Sequence, residues 1–192
     1  MAGLEYELAD DIAERTAAQV AQGKIVGWMQ GRMECGPRAS GNRSLLADPR
    51  DPQSKARMNE KVKHREAFRP FAPSCLVERA SEFFASGYPS AVMLLVFDVL
   101  AGKRSVVPAI THVDGTARVQ TVSRDDNPLY WDMISHFEKL TGVPMVMNTS
   151  FNDNNEPIVC TPEDAVSCFL KTDSDAIALG SFWVDKTPGG AA

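Results

Sequence analysis

Residues 31–44, Gly-Arg-Met-Glu-Cys-Gly-Pro-Arg-Ala-Ser-Gly-Asn-Arg-Ser, constrain this chain more than any other stretch. They lie between two apolar runs, 25–29 and 45–47, which read as short buried strands. Between those strands come three arginines interleaved with glycines and Pro37. Glycine frees φ and lets a backbone approach a ligand, proline fixes one φ, and arginine offers a planar fork matching phosphate or carboxylate oxygens. The combination suggests an anion cradle delivered by a strand. The plainer reading is a turn with solvated charges, so the rest of the chain has to decide between them.

The 192 residues, 44% of them hydrophobic, suffice for one core. One domain is expected over 1–186, followed by a disordered tail at 187–192. The acidic start has no leader-like pattern, and the apolar run 91–97 is too short to cross a bilayer, so a soluble cytoplasmic protein without membrane contact is expected. Cys35, Cys75, Cys160 and Cys168 are too scattered for a disulfide framework or a zinc site and read as buried thiols. No metal site is expected in the protein itself. Net charge is −5, yet residues 31–70 carry ten basic side chains against five acidic ones. A basic island in an acidic chain fits a discrete anion site better than a nucleic-acid surface.

Leu4, Leu8, Ile12 and Val20 recur at helical spacing, predicting an amphipathic helix that ends near Gly23. Residues 53–63 read as a helix with Met58 and Val62 inward. The following run places Phe68 and Phe71 in the core, with cations held between them. Residues 75–77 read as a strand, 80–86 as a short helix burying Phe83 and Phe84, and 92–99 as a central strand buried on both faces. Asp114-Gly115 is a turn signal, and the alternation after it puts Arg118 and Gln120 on one strand face. His112 reads either as a proton-transfer group or ligand, or as a turn residue bonded to Asp114. Asn127-Pro128 opens a helix with Leu129, Met133, Phe137 and Leu140 inward, closed by Gly142. A strand at 143–147 then leads into Asn148, Thr149, Ser150, Phe151 and Asn152, where amide and hydroxyl groups could read a planar amide or phosphate oxygens, or form a plain turn. Thr161-Pro162-Glu163-Asp164 starts a helix, and 176–179 reads as the last strand.

Taken in order, Gly31-Arg32-Met33-Glu34, Gly36-Pro37-Arg38-Ala39, Gly41-Asn42-Arg43-Ser44, Arg65-Glu66, Phe68-Arg69-Pro70-Phe71-Ala72-Pro73, Thr111-His112-Val113-Asp114-Gly115-Thr116-Ala117-Arg118, 148–152 and Glu156-Pro157-Ile158-Val159-Cys160 resemble the C-terminal domain of the carbamoyltransferase family that includes nodulation and antibiotic O-carbamoyltransferases. The resemblance runs over 22–179. It implies an α/β fold, a twisted mixed sheet with flanking helices, similar to YrdC. It also implies binding of carbamoyl phosphate and ATP, with Mg²⁺, phosphate release and formation of carbamoyl adenylate. The acceptor-transferring N-terminal domain of the family, an actin-like metal-binding unit, is not visible in this sequence, which is expected to be an isolated domain or a truncated piece of a longer protein. Ser40 and Asn155 stand where the family usually has leucine and glycine; Asn155 is expected to keep the turn in the αL conformation.

On that resemblance Arg38, Lys63, Arg69 and Arg118 are the candidate catalytic cations at the phosphate end, supported by Arg43 and Arg65. Asn148, Ser150, Asn152 and His112 are candidate substrate contacts. The alternative is a non-catalytic RNA-binding or interaction domain using the same basic pocket. Such a domain would bind without carbamoyl phosphate and weaken steeply with salt.

Overall fold

The structure, a computed structural model, describes residues 4–85, 88–154 and 156–186. The expected disordered tail, the Asn155 turn and Ser86 lie outside the described residues. Chain order gives β1 (Glu7–Leu8), α1 (Ile12–Ala21), β2 (Val26–Met29), β3 (Arg43–Ala47), α2 (Ser54–Arg57), β4 (Ala72–Leu76), β5 (Val96–Asp98), β6 (Thr116–Arg118), β7 (Gln120–Val122), α3 (Pro128–Thr141), β8 (Met145–Ser150), α4 (Pro162–Lys171), β9 (Ala176–Leu179) and β10 (Phe182–Asp185). Eight strands form one twisted mixed sheet in the order β1-β10-β9-β2-β3-β8-β4-β7. The β2–β9 and β4–β7 pairs are parallel and the others antiparallel. Strands β5 and β6 make a separate antiparallel pair. The fold is thus the expected α/β class. Among the described residues no helix is long and apolar enough to cross a membrane.

Burial follows the pleat. Trp28 on β2 meets Tyr130 of α3, with ring centroids 6.3 Å apart. On the opposite face of β2, Gly27 makes room for Phe151, since a Cβ there would lie 2.7 Å from the ring. Helices α1 and α3 pack against each other and both touch the sheet, while α4 lies against β2 and β9.

Several expectations are corrected. The N-terminal helix begins only at Ile12, because the Asp11 carboxylate accepts from Ala13 N and Glu14 N and caps it. Upstream, Glu7 and Leu8 pair with β10, leaving Leu8 exposed. Helix α3 buries Tyr130, Met133, Ile134 and Phe137, whereas Leu129 and Leu140 are exposed. The neighbouring stripe wins because Tyr130 packs on Trp28. Phe68 is 76% exposed while Phe71 is 3% exposed, since Phe68 falls in a turn before the strand. The segment 92–99 is no central strand: only Val96–Asp98 is extended, and Val92, Leu94, Leu95 and Val96 are exposed. Met93, at φ +55, breaks the run and turns inward, and of the rest only Val99 is buried, with Phe97 partly so. The short helix expected over 80–86 is a 3-10 segment at Val77–Glu82, with Phe83 and Phe84 buried beyond it. Strand β10 has no counterpart in the sequence reading. Cys35 and Cys160 are exposed, and only Cys75 and Cys168 are buried.

The helix expected over 53–63 is α2 continued by a π-helical turn at Met58–Val62, which buries Met58 and Val62 and delivers Lys63 beneath the end of β8. There the Lys63 Nζ donates to Ser150 O (2.5 Å), Asn152 O (2.7 Å) and Asn152 Oδ1 (2.8 Å). Burial, followed by the nearby charge of Arg65, pushes this amine from 10.5 down to about 7. The folded value lies below the unfolded one, so between about pH 7 and 10.5 the unfolded chain binds more protons and stability rises with pH. Urea unfolding of wild type and Lys63→Met across that window should show the wild type gaining on the variant as pH climbs. A gap that is flat or moves the other way contradicts this account of Lys63.

Candidate functional site

The stretch between β2 and β3 is a loop without regular structure, held at many points along its length. One carboxylate oxygen of Glu34 accepts from Ser40 N and Asn42 N, both at 2.7 Å. The Trp28 indole donates to Gly41 O (2.7 Å). Gly41 sits at φ +112, and a Cβ there would come 2.2 Å from the Tyr130 ring, so only glycine fits. Arg43, 4% exposed, donates to Gln30 O and Asn42 O at 2.8 Å and to Gly31 O and Cys160 O at 3.2 Å. Its guanidinium closes the loop's two ends on each other and on the segment before α4. It does not line the cavity beside the loop.

That cavity, of about 100 Å³, is bounded by Arg38 and Ala39 of the loop, Arg65, Phe71, Met93, Arg118 at the end of β6, and Asn148, Thr149 and Ser150 at the end of β8. Three arginines from three distant parts of the chain therefore converge. Arg65 stacks over the Phe71 ring at 4.7 Å and donates to Asn59 Oδ1 at 2.7 Å. Among the described residues no carboxylate stands within 4.0 Å of the charged nitrogens of Arg38, Arg65, Arg69 or Arg118. Burial and then Arg69 push Arg65 down to about 10. Arg118 is likewise lowered, first by burial and then by Arg38. Concentrated positive charge without a paired carboxylate is the electrostatic signature of an anion site.

Other expected residues fall nearby. Arg69 faces an adjoining cavity of about 770 Å³ with Asn59, Glu60, His64, Glu66 and Asn154, and Arg65 borders both spaces. Lys63 and Asn152 lie under the β8 end, where Ser150 Oγ also donates to Asn152 Oδ1 (2.6 Å). His112 lies outside the small cavity; its Nδ1 is 3.1 Å from Thr116 Oγ1 and not bonded to Asp114, which instead accepts from Thr116. Arg118 and Gln120 do not share one strand: β6 ends at Arg118, Val119 N donates to Leu95 O, and β7 begins at Gln120 in the main sheet. Glu34, Ser74 and Met93 escaped the sequence reading of the site. Glu34 was visible within its motif, whereas nothing in the sequence marks Met93 for a positive φ.

Among the described residues no group of three or more His, Cys, Asp or Glu side chains is placed to hold a metal ion. The arrangement suits a small anion with further polar groups, gripped by guanidinium forks and the polar end of β8.

Nodulation protein NolO of Bradyrhizobium diazoefficiens is 53% identical over 190 residues, covering 96% of this chain and 34% of NolO. The chain spans about a third or less of the length of the curated relatives it matches. Among solved structures, P. abyssi Sua5 complexed with L-threonine superposes with a TM-score of 0.64 at 19% identity, over 88% of this chain and 46% of Sua5. Full-length HypF in its phosphate- and nucleotide-bound form gives 0.60 at 18% identity, over 92% of this chain and 22% of HypF. These likenesses establish the YrdC-like fold. The family described as the carbamoyltransferase C-terminus matches residues 17–186, and the chain belongs to that family.

Proposed function

We propose that this domain binds carbamoyl phosphate and ATP and forms carbamoyl adenylate, which an N-terminal actin-like, metal-binding partner domain then transfers to an acceptor hydroxyl. The observation that carries the reading is the meeting of Arg38, Arg65 and Arg118 around a cavity of about 100 Å³ with no carboxylate of the described residues ion-paired to them. HypF, a structural neighbour, is known in a phosphate- and nucleotide-bound form, which supports an anion and a nucleotide on this fold.

In this reading the phosphate of carbamoyl phosphate sits among the three guanidinium groups, and its planar carbamoyl end lies toward Asn148 and Ser150. Water takes up the phosphoryl group, leaving phosphate and carbamate. A carbamate oxygen then attacks the α-phosphorus of ATP, giving carbamoyl adenylate and pyrophosphate. Both steps build charge on phosphoryl oxygens, which fixed guanidinium groups stabilise without a covalent enzyme intermediate. Arg65, bordering both cavities, and Arg69 in the larger one would face the nucleotide phosphates. Mg²⁺ would enter with the triphosphate and offset part of its charge. Arg43 and Lys63 keep the cradle and the β8 end in register by binding carbonyls, and so support the site.

Removing one charge-assisted contact of this kind costs on the order of 100-fold in binding or rate. Arg38→Ala and Arg118→Ala should each lower pyrophosphate release that depends on carbamoyl phosphate and ATP by about that factor, with circular dichroism and melting unchanged. Near-normal release by both folded variants would remove the assignment.

A further inference from the structure

Beneath the cradle runs a chain of neutral polar side chains whose orientation can be worked out from fixed points. The Gln120 Nε2 donates to Ser40 O (2.7 Å), so its Oε1 must face the other way. That oxygen accepts from Ser74 Oγ (2.6 Å) and from Asn148 Nδ2 (3.2 Å). The Asn148 Nδ2 also reaches Ser74 Oγ (2.8 Å) and Ala39 O (3.2 Å), and a backbone carbonyl accepts only. Flipping the Asn148 amide would set its oxygen against Ala39 O and Gln120 Oε1 together. Both oxygens oppose the flip, Ala39 O always and Gln120 Oε1 for as long as Gln120 is held by Ser40 O.

One consequence is an acceptor with nothing to accept. Asn148 is 1% exposed and borders the small cavity, and its Oδ1 is buried without a partner. A buried unpaired amide oxygen is costly, so its persistence at the wall of a cavity points to a ligand that satisfies it. On the same cavity the Arg118 Nε is a buried donor without a partner. The site thus lacks one acceptor and one donor at once. A plain carboxylate answers the guanidinium groups and brings no donor for the amide oxygen, and inorganic phosphate at neutral pH brings only its P–OH hydrogen.

We infer that Gln120 and Ser74 are positioning residues that lock the Asn148 carbonyl toward the cavity, and that this carbonyl selects a phosphorylated ligand bearing an N–H donor on a planar group, the amino end of a carbamoyl phosphate. This rests on the reading of the cavity proposed above and adds to it a means of rejecting isosteric acyl phosphates. Acetyl phosphate replaces the amino group by a methyl and keeps the rest. It would leave Asn148 Oδ1 buried and unpaired against that methyl.

Calorimetric titration of this chain with carbamoyl phosphate, acetyl phosphate and inorganic phosphate tests the inference. Wild type should prefer carbamoyl over acetyl phosphate by on the order of 100-fold. In Gln120→Leu that preference should fall by about tenfold or more, because only the Ala39 carbonyl then opposes an inward turn of the Asn148 donor. In Ser74→Ala, where Gln120 stays on Ser40 O and the amide loses one acceptor, it should fall by less, and inorganic phosphate should bind both variants as it binds wild type. A wild-type preference near unity overturns the inference while leaving the carbamoyl phosphate site standing. A preference unchanged in both variants does the same. Loss of phosphate affinity in step with the preference makes Gln120 and Ser74 merely structural and also overturns it. If wild type binds none of the three phosphates, the reading of the site itself fails, and this inference with it.

Discussion

Positive charge gathered without a paired carboxylate is the constraint on which this structure turns. Arg38, Arg65 and Arg118 share one small cavity, and Arg69 stands just beyond Arg65. Like charges in a partly desolvated setting repel, and the depressed guanidinium basicity of Arg65 and Arg118 records that repulsion on top of burial. Such a cluster persists only where the surrounding frame holds it. Here the frame is the Phe71 ring and the Asn59 side chain for Arg65, the end of β6 for Arg118, and the tied loop for Arg38. A bound anion would relieve the repulsion that the frame withstands.

Two buried cations show the contrast. Arg43 and Lys63 are almost wholly buried, and their donors are taken up by main-chain carbonyls and, for Lys63, an amide oxygen. They join segments that are remote in sequence: β2 to the cradle and the start of α4, and the π-helical turn to the end of β8. The protein therefore uses one kind of charge in two ways, satisfied internally where it builds and left open where it receives. Between the two lies the neutral chain Gln120–Ser74–Asn148, which carries the position of the cradle carbonyls down to the sheet.

Much of this was legible in the residues. The 31–44 stretch announces a glycine-rich, arginine-bearing loop because its chemistry is local, and the capped starts of α3 and α4 are readable for the same reason. Arg38, Arg65, Arg118, Asn148 and Ser150 were all singled out, and the fold brings them to one cavity. What could not be read depends on neighbours absent from the local sequence. The stripe of α3 is decided by Trp28 on another element. The inward turn of Met93 comes from a positive φ that no composition predicts, and the apolar run around it looked like a core strand for want of that kink. Nor does a sequence distinguish an arginine whose hydrogens are saturated by carbonyls, such as Arg43, from one left free.

The chain belongs to the carbamoyltransferase C-terminus family and has a YrdC-like sheet, and the carbamoyl chemistry proposed for it depends on the three guanidinium groups acting on one phosphate. A crystal structure grown with carbamoyl phosphate examines that claim most directly. The account predicts phosphate density bonded to Arg38, Arg65 and Arg118 together, with the carbamoyl end against Asn148. Density held elsewhere, or the three arginines turned to separate surfaces with the ligand present, would contradict it.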